Sequence, residues 1–151
     1  MKIALRYGLI ITAGMMAWTI IAHSLVPNPQ SIVHSFGAFT FINLLHFACI
    51  YLGIKALERE RGDKPTFKEG LKEGVAISFV YALTSALYFV CVLLVIGTKW
   101  MAGEAMRPDI PMWLVGLQAF GGLIILTMIF GLVYSTLISF FLAKRLSSDE
   151  R

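Results

Sequence analysis

His46 is the residue of this 151-residue chain whose type and setting could most readily do chemistry, because it lies inside a long apolar run with Asn43 three positions before it. An ionisable group inside a bilayer is costly and marks a functional site by default. Residues three apart share one face of a helix, so Asn43 and His46 form one candidate intramembrane polar site. The chemistry open to it is a proton relay or haem ligation. The plainer alternative is a neutral imidazole hydrogen-bonded to a neighbouring helix, and this is the expectation, since polar side chains commonly join helices in that way.

A pair of histidines on one haem fails on depth. His46 lies about ten residues, or roughly 15 Å, below the outer end of its helix, whereas His23 is within a turn of the outer end of its own. His34, in or beside the outer turn, is expected to be solvated. Cys49 and Cys91 are single residues inside apolar runs, and neither a disulfide framework nor a metal-ligand spacing is present. At helical rise they sit roughly 13 Å apart in depth, so two separate thiols are expected. No nucleophile motif or phosphate-binding loop is found. These readings predict no catalytic residue, no cofactor, no metal and no enzymatic activity.

The elements that must carry His46 follow from composition. Hydrophobic residues make up 58% of the chain, charged residues only 15%, and mean hydropathy is +0.76. An ordinary soluble domain carries about 25% charged residues. The expected fold is therefore all-α, a four-helix bundle integral to the membrane. The spans are placed at about 5–26, 36–57, 74–97 and 112–143, with a charged loop over 58–73. From Gly74 to Gly97 there are 24 residues without Asp, Glu, Lys or Arg, and about 20 apolar residues suffice to cross a bilayer core roughly 30 Å thick. The net charge of +4 sits on residues flanking the apolar segments, which argues against nucleic acid as a partner and for the lipid bilayer.

Local signals set the boundaries. Lys2 and Arg6 precede a first apolar run too long for a secretory signal and without a small-residue cleavage site, so a retained helix is expected. Pro27 and Pro29 end it in a tight outer turn. Gly62-Asp63-Lys64-Pro65 supplies an inner turn, and Thr66 with Glu69 fits a capping box opening the third helix. The last apolar stretch, Ile110 to Ala143, is 34 residues long. Straight, it would measure roughly 50 Å, so it either tilts or lays its first part on the outer surface with a bend near Gly121-Gly122.

Placing both termini and the charged loop on one side gathers eleven of the thirteen basic residues there, leaving Lys99 and Arg107 opposite. By the positive-inside rule that side is the cytoplasm. Trp18, Trp100 and Trp113 then fall toward the outer interface, which indoles favour.

Two stripes of small residues say how helices can touch. Gly70, Gly74, Ser78, Ala82 and Ala86 recur every four residues in the third span, and Thr127, Gly131, Ser135, Ser139 and Ala143 in the fourth. Small residues let backbones approach closely in lipid. The stripes predict either packing of the third helix on the fourth within one chain or a helix-association surface for a second protein, with Gly74, Ser78, Ala82, Ala86, Gly131, Ser135 and Ser139 as its residues.

Tyr7-Gly8, the Gly53-Ile54-Lys55 that closes the second helix, Phe67-x-x-Gly70-x-x-x-Gly74 with Tyr88 further along, and the closing Lys144-Arg145 resemble the small bacterial four-helix membrane proteins grouped as domain-of-unknown-function family four-one-nine-nine. The resemblance covers nearly the whole chain. It implies the four-helix topology and a multi-pass location in the bacterial inner membrane, and brings no activity and no site residue.

Two function classes follow. The first is a non-enzymatic bundle that acts by helix association, as a homo-oligomer or as an accessory subunit of a larger membrane complex. The second is a small transporter or channel for a neutral solute or lipid, lined by Asn43, His46, Ser85 and Gln118. Coupled transport usually places ionisable groups at the midplane, and the interiors of the four spans hold no carboxylate, lysine or arginine. This favours the first class.

Overall fold

The computed structural model describes residues 2–25, 32–96 and 112–149. Within them the chain forms four α-helices and no strand: α1 (Lys2–Leu25), α2 (Ile32–Arg61), α3 (Phe67–Ile96) and α4 (Met112–Asp149). Each contains a stretch long and apolar enough to cross a membrane. The protein is thus an all-helical, multi-pass membrane protein. The connection between α1 and α2, the one between α3 and α4 with Lys99, Trp100 and Arg107, and the side chains of His23, His34, Lys144 and Arg145 lie outside the described residues.

The charged segment is more helical than the loop expected over 58–73. α2 continues through Arg61 and α3 begins at Phe67, so only residues 62–66 are non-helical. Leu57-Glu58-Arg59-Glu60-Arg61 consists of good helix formers, and Lys55 and Glu58 pair at 2.9 Å across one turn. The helix stops at Gly62, whose φ of 78° is a left-handed conformation that costs glycine little. Its N–H donates to the Glu58 carbonyl at 3.0 Å, closing the last turn. Four residues on, Thr66 and Glu69 form a reciprocal cap. The Thr66 N–H donates to the Glu69 carboxylate at 2.9 Å, and the Glu69 N–H donates to the Thr66 hydroxyl at 3.4 Å. Arg61 also pairs with Glu69, which ties the end of α2 to the start of α3.

Among the described residues α3 touches all three other helices and α2 does the same, whereas α1 and α4 do not meet. The section is therefore a rhombus with α2 and α3 on its short diagonal. Ile77 of α3 marks the centre: it is fully buried and meets the space over Gly8 of α1 and Gly53 of α2. Around it pack Ile11, Ile50, Ile54 and Tyr81.

Burial is uneven along the helices. The buried described residues are confined to Ile3–Thr12, His46–Leu57, Pro65–Ala86 and Gly131–Ser139, most of them toward the end of the bundle that carries the charged turn. Beyond Thr12 in α1, before His46 in α2, beyond Ala86 in α3 and before Gly131 in α4, no described side chain is buried. In this far half the described side chains are half-buried or exposed. Contacts there include the stack of Trp18 on Phe41, with ring centroids 4.8 Å apart. α4 passes through Gly121 and Gly122 as one continuous helix, so the fourth span is a single long rod.

A prediction follows from the turn. Gly62→Ala puts a Cβ into a left-handed conformation and should lower stability by about 1 kcal/mol, and Thr66→Ala removes a helix cap worth a similar amount, about 1 kcal/mol. Thermal unfolding in detergent should show both as small, separate losses with helicity retained.

Candidate functional site

The two small-residue stripes face each other within the chain. A Cβ added at Gly70 would lie 3.2 Å from Ser139 Cβ, one added at Gly74 would lie 2.7 Å from Ser135 Cβ, and one added at Gly131 would run into the side chain of Ser78. Each four-residue step along α3 is matched by four residues back along α4, so the helices are antiparallel and in register. On both helices a glycine meets a serine. The serines can sit in so tight a seam because their hydroxyls bond to their own helices: Ser78 donates to the Gly74 carbonyl at 2.9 Å and Ser135 to the Gly131 carbonyl at 2.5 Å. Gly74 and Gly131 thus each give room to the serine opposite and a carbonyl to the serine four residues on. Ala82 and Ala86 continue the stripe on α3 and are buried.

Where this seam meets α2 lies His46, buried, with its Nε2 2.9 Å from Ser78 Oγ. The Ser78 hydroxyl has one proton. With that proton on the Gly74 carbonyl, His46 Nε2 carries its own and donates it to Ser78, which fixes the neutral tautomer. Tyr81 of α3 and Tyr134 of α4 meet the imidazole edge to face, with centroids at 5.1 and 5.5 Å. Tyr134 donates to Asn43 Oδ1 at 2.7 Å, and the Asn43 amide donates to the Phe39 carbonyl at 2.7 Å. Gly131 makes the arrangement possible, since any side chain there would displace Ser78 and approach His46 Cε1.

Sequence reasoning had Asn43 and His46 on one face, and the structure places them there, turned toward α3 and α4. It missed Ser78 as the imidazole's partner, and Tyr81 and Tyr134 altogether. The signal was present: Ser78–Tyr81 and Gly131–Tyr134 repeat the three-residue spacing of Asn43–His46. Only the antiparallel register of the stripes, in which Ser78 meets Gly131, shows that the three pairs come to one level.

A family model described as a protein of unknown function, DUF4199, matches residues 6–106. The chain belongs to that family. The matched residues hold α1, α2 and α3 and therefore Asn43, His46, Ser78 and Tyr81, while α4, with Gly131 and Tyr134, lies beyond them. No curated protein and no solved structure matches this DUF4199 chain.

The remaining residues singled out by sequence are scattered. Ser85 is buried and donates to the Ala82 carbonyl at 3.1 Å, whereas Gln118 is exposed. Asn43, His46, Ser85 and Gln118 therefore do not share one polar surface. Cys49 is buried, Cys91 is exposed, and both are free. Among the described residues no group of three or more His, Cys, Asp or Glu is placed to hold a metal ion. A further interhelical hydrogen bond joins Thr12 of α1 to Thr84 of α3 at 2.6 Å. The polar side chains in the packed half are thus largely closed on one another.

The His46–Ser78 contact should register as coupling. In a double-mutant cycle, His46→Ala and Ser78→Ala together should destabilise the protein by less than the sum of their separate effects. The difference should be about 0.6 kcal/mol and at most about 1.7 kcal/mol, the range for hydrogen bonds between membrane helices. Gly131→Ala should cost more than the coupling itself, roughly 1–3 kcal/mol, because the seam cannot admit a methyl group without shifting. Unfolding in detergent measures all four variants, and additive effects would contradict the bond.

Proposed function

We propose that this DUF4199 chain is a non-enzymatic protein of the bacterial inner membrane that works by associating with other membrane helices, as a homo-oligomer or as an accessory subunit of a larger complex. One observation carries the reading: beyond Thr12 in α1, before His46 in α2, beyond Ala86 in α3 and before Gly131 in α4 no described side chain is buried, while the part nearer the charged turn is tightly packed. In lipid, helices are brought together by packing and hydrogen bonds, with no hydrophobic drive between them. Helix ends whose described side chains stay half-buried or exposed therefore have contact surface to give to another helix. On α4 that surface includes Trp113, Leu117, Ile125 and Ile129, all exposed, and Gly121 and Gly122, over which a Cβ would meet nothing within 4 Å. The two stripes already spend their small residues on each other, so the associating face on this reading is the far half.

The proposed orientation puts both termini and the turn at residues 62–66 in the cytoplasm. It rests on the distribution of basic residues, most of which border the charged half. A cysteine replacing Asp63, in a chain without Cys49 and Cys91, should react with an impermeant maleimide only after the cells are opened. Reaction in intact cells would invert the topology.

Association itself is read by native mass spectrometry of the protein extracted in mild detergent. The expected result is a species heavier than one chain, either a multiple of its mass or a complex with a defined companion. Gly121→Leu and Gly122→Leu should dissolve that species while leaving the thermal stability of the single chain unchanged, because both positions are open. A strictly monomeric, unaccompanied protein would contradict the proposal. If, in addition, substitution of Asn43 or His46 abolished movement of a neutral solute, the transporter reading would replace it.

A further inference from the structure

At the charged end, the start of α1, the end of α2 and the first turns of α3 enclose a cleft of about 940 Å³ that none of the preceding contacts uses. Its walls change character with depth. The rim carries Lys2, Glu60, Lys72 and Glu73, and the part nearer the bundle centre carries Leu5, Phe79 and Val80. Arg61 and Glu69 also line it, but they are already paired with each other. Among the described residues, Lys2, Lys72 and Glu60 have no hydrogen bond or ion pair. Glu73 is the decisive group: its Oε1 is buried and has no hydrogen-bond partner. A buried carboxylate oxygen without a donor is costly, and the residue that carries it lines the cleft.

We propose that this cleft binds the headgroup of a zwitterionic phospholipid with a primary ammonium, seated at the membrane interface. The complement is set by charge. Two cations, Lys2 and Lys72, suit a phosphodiester, and two carboxylates, Glu60 and Glu73, suit an ammonium. A primary ammonium brings three N–H donors, and so can hydrogen-bond the carboxylates that line the cleft in a way that a quaternary choline cannot. A purely anionic headgroup would satisfy the lysines and leave Glu73 facing more negative charge. The exposed side chains of Leu5 and Phe79 then border the path of the acyl chains toward the bilayer core. Glu73 lies seven residues, about 10 Å at helical rise, beyond the Thr66 cap, which puts it within reach of the headgroup layer. The site is independent of the far half, on which the proposal of helix association rests.

The test is native mass spectrometry of the delipidated full-length protein titrated with phosphatidylethanolamine, phosphatidylcholine and phosphatidylglycerol of identical acyl chains. Phosphatidylethanolamine should bind roughly tenfold more tightly than phosphatidylcholine, as expected for a charge-assisted hydrogen bond present in one and absent in the other. Glu73→Gln should abolish that preference, and Lys72→Gln should weaken both lipids equally while preserving it. Should Glu73→Gln fail to fold, Ala76→Trp, which fills the cleft without touching a charge, should abolish the preference in its place. Equal binding of phosphatidylethanolamine and phosphatidylcholine by the unmodified protein would overturn the inference. So would a preference that survives both Glu73→Gln and Ala76→Trp.

Discussion

The close approach of α3 and α4 is the constraint from which the rest of the structure follows. Within a bilayer the tails are as apolar as the side chains, so burying leucine against leucine gains little and the advantage goes to helices whose backbones can come near. Gly70, Gly74 and Gly131 remove the side chains that would hold the two helices apart, and Ser139, Ser135 and Ser78 fill the space. The serine hydroxyls do not oppose this, because Ser78 and Ser135 are bonded within their own helices. Ser78 and Ser135 thus present small and electrically quiet surfaces to the other helix.

Once the seam is set, Ser78 is held at a fixed depth, and His46 of α2 finds there the partner it needs to be neutral and buried. Tyr81 and Tyr134 then close over the imidazole, and Tyr134 reaches Asn43 one turn further along α2. A histidine in a membrane helix attracts a functional reading, and here its geometry is that of a joint between three helices. α1 is attached on the opposite side of α3 through the Thr12–Thr84 bond and the contact of Gly8 with Val80. The order of dependence runs from the seam to His46 and only then to the outer corners, so the far half, where the small-residue stripes give way to larger side chains, is left without a packed core.

How much of this could be read from sequence differed by level. The four helices were legible because a bilayer imposes length and apolarity on any segment that crosses it. The turn was legible because Gly62, Thr66 and Glu69 each have a local stereochemical reason to stand where they do. The extent of the charged loop was misjudged: charge alone says that a segment is solvated, and Glu58 to Arg61 are solvated and helical at once. The stripes were visible as patterns, but a one-dimensional pattern has no partner, and only the matched pairs of glycine and serine show each stripe turned toward the other. Tyr81 and Tyr134 stayed hidden for the same reason, since a tyrosine in a membrane helix is as well explained by packing or by the interface. The cleft beside Glu73 was the least legible element, because its residues come from three helices and a charged run reads first as a solvated surface.

The central claim is that the seam between α3 and α4 lies within one chain, and cysteine crosslinking tests it most directly. In a chain with Cys49 and Cys91 replaced by alanine, Gly70→Cys and Ser139→Cys place two thiols where the Cβ atoms are about 3.2 Å apart, close to the roughly 3.5–4.5 Å spanned by a disulfide. Mild oxidation should give a crosslink within a single chain, seen as an unchanged mass on a non-reducing gel and as a linked pair of peptides after digestion. Disulfide-linked dimers in its place, or two thiols that stay reduced, would contradict the account.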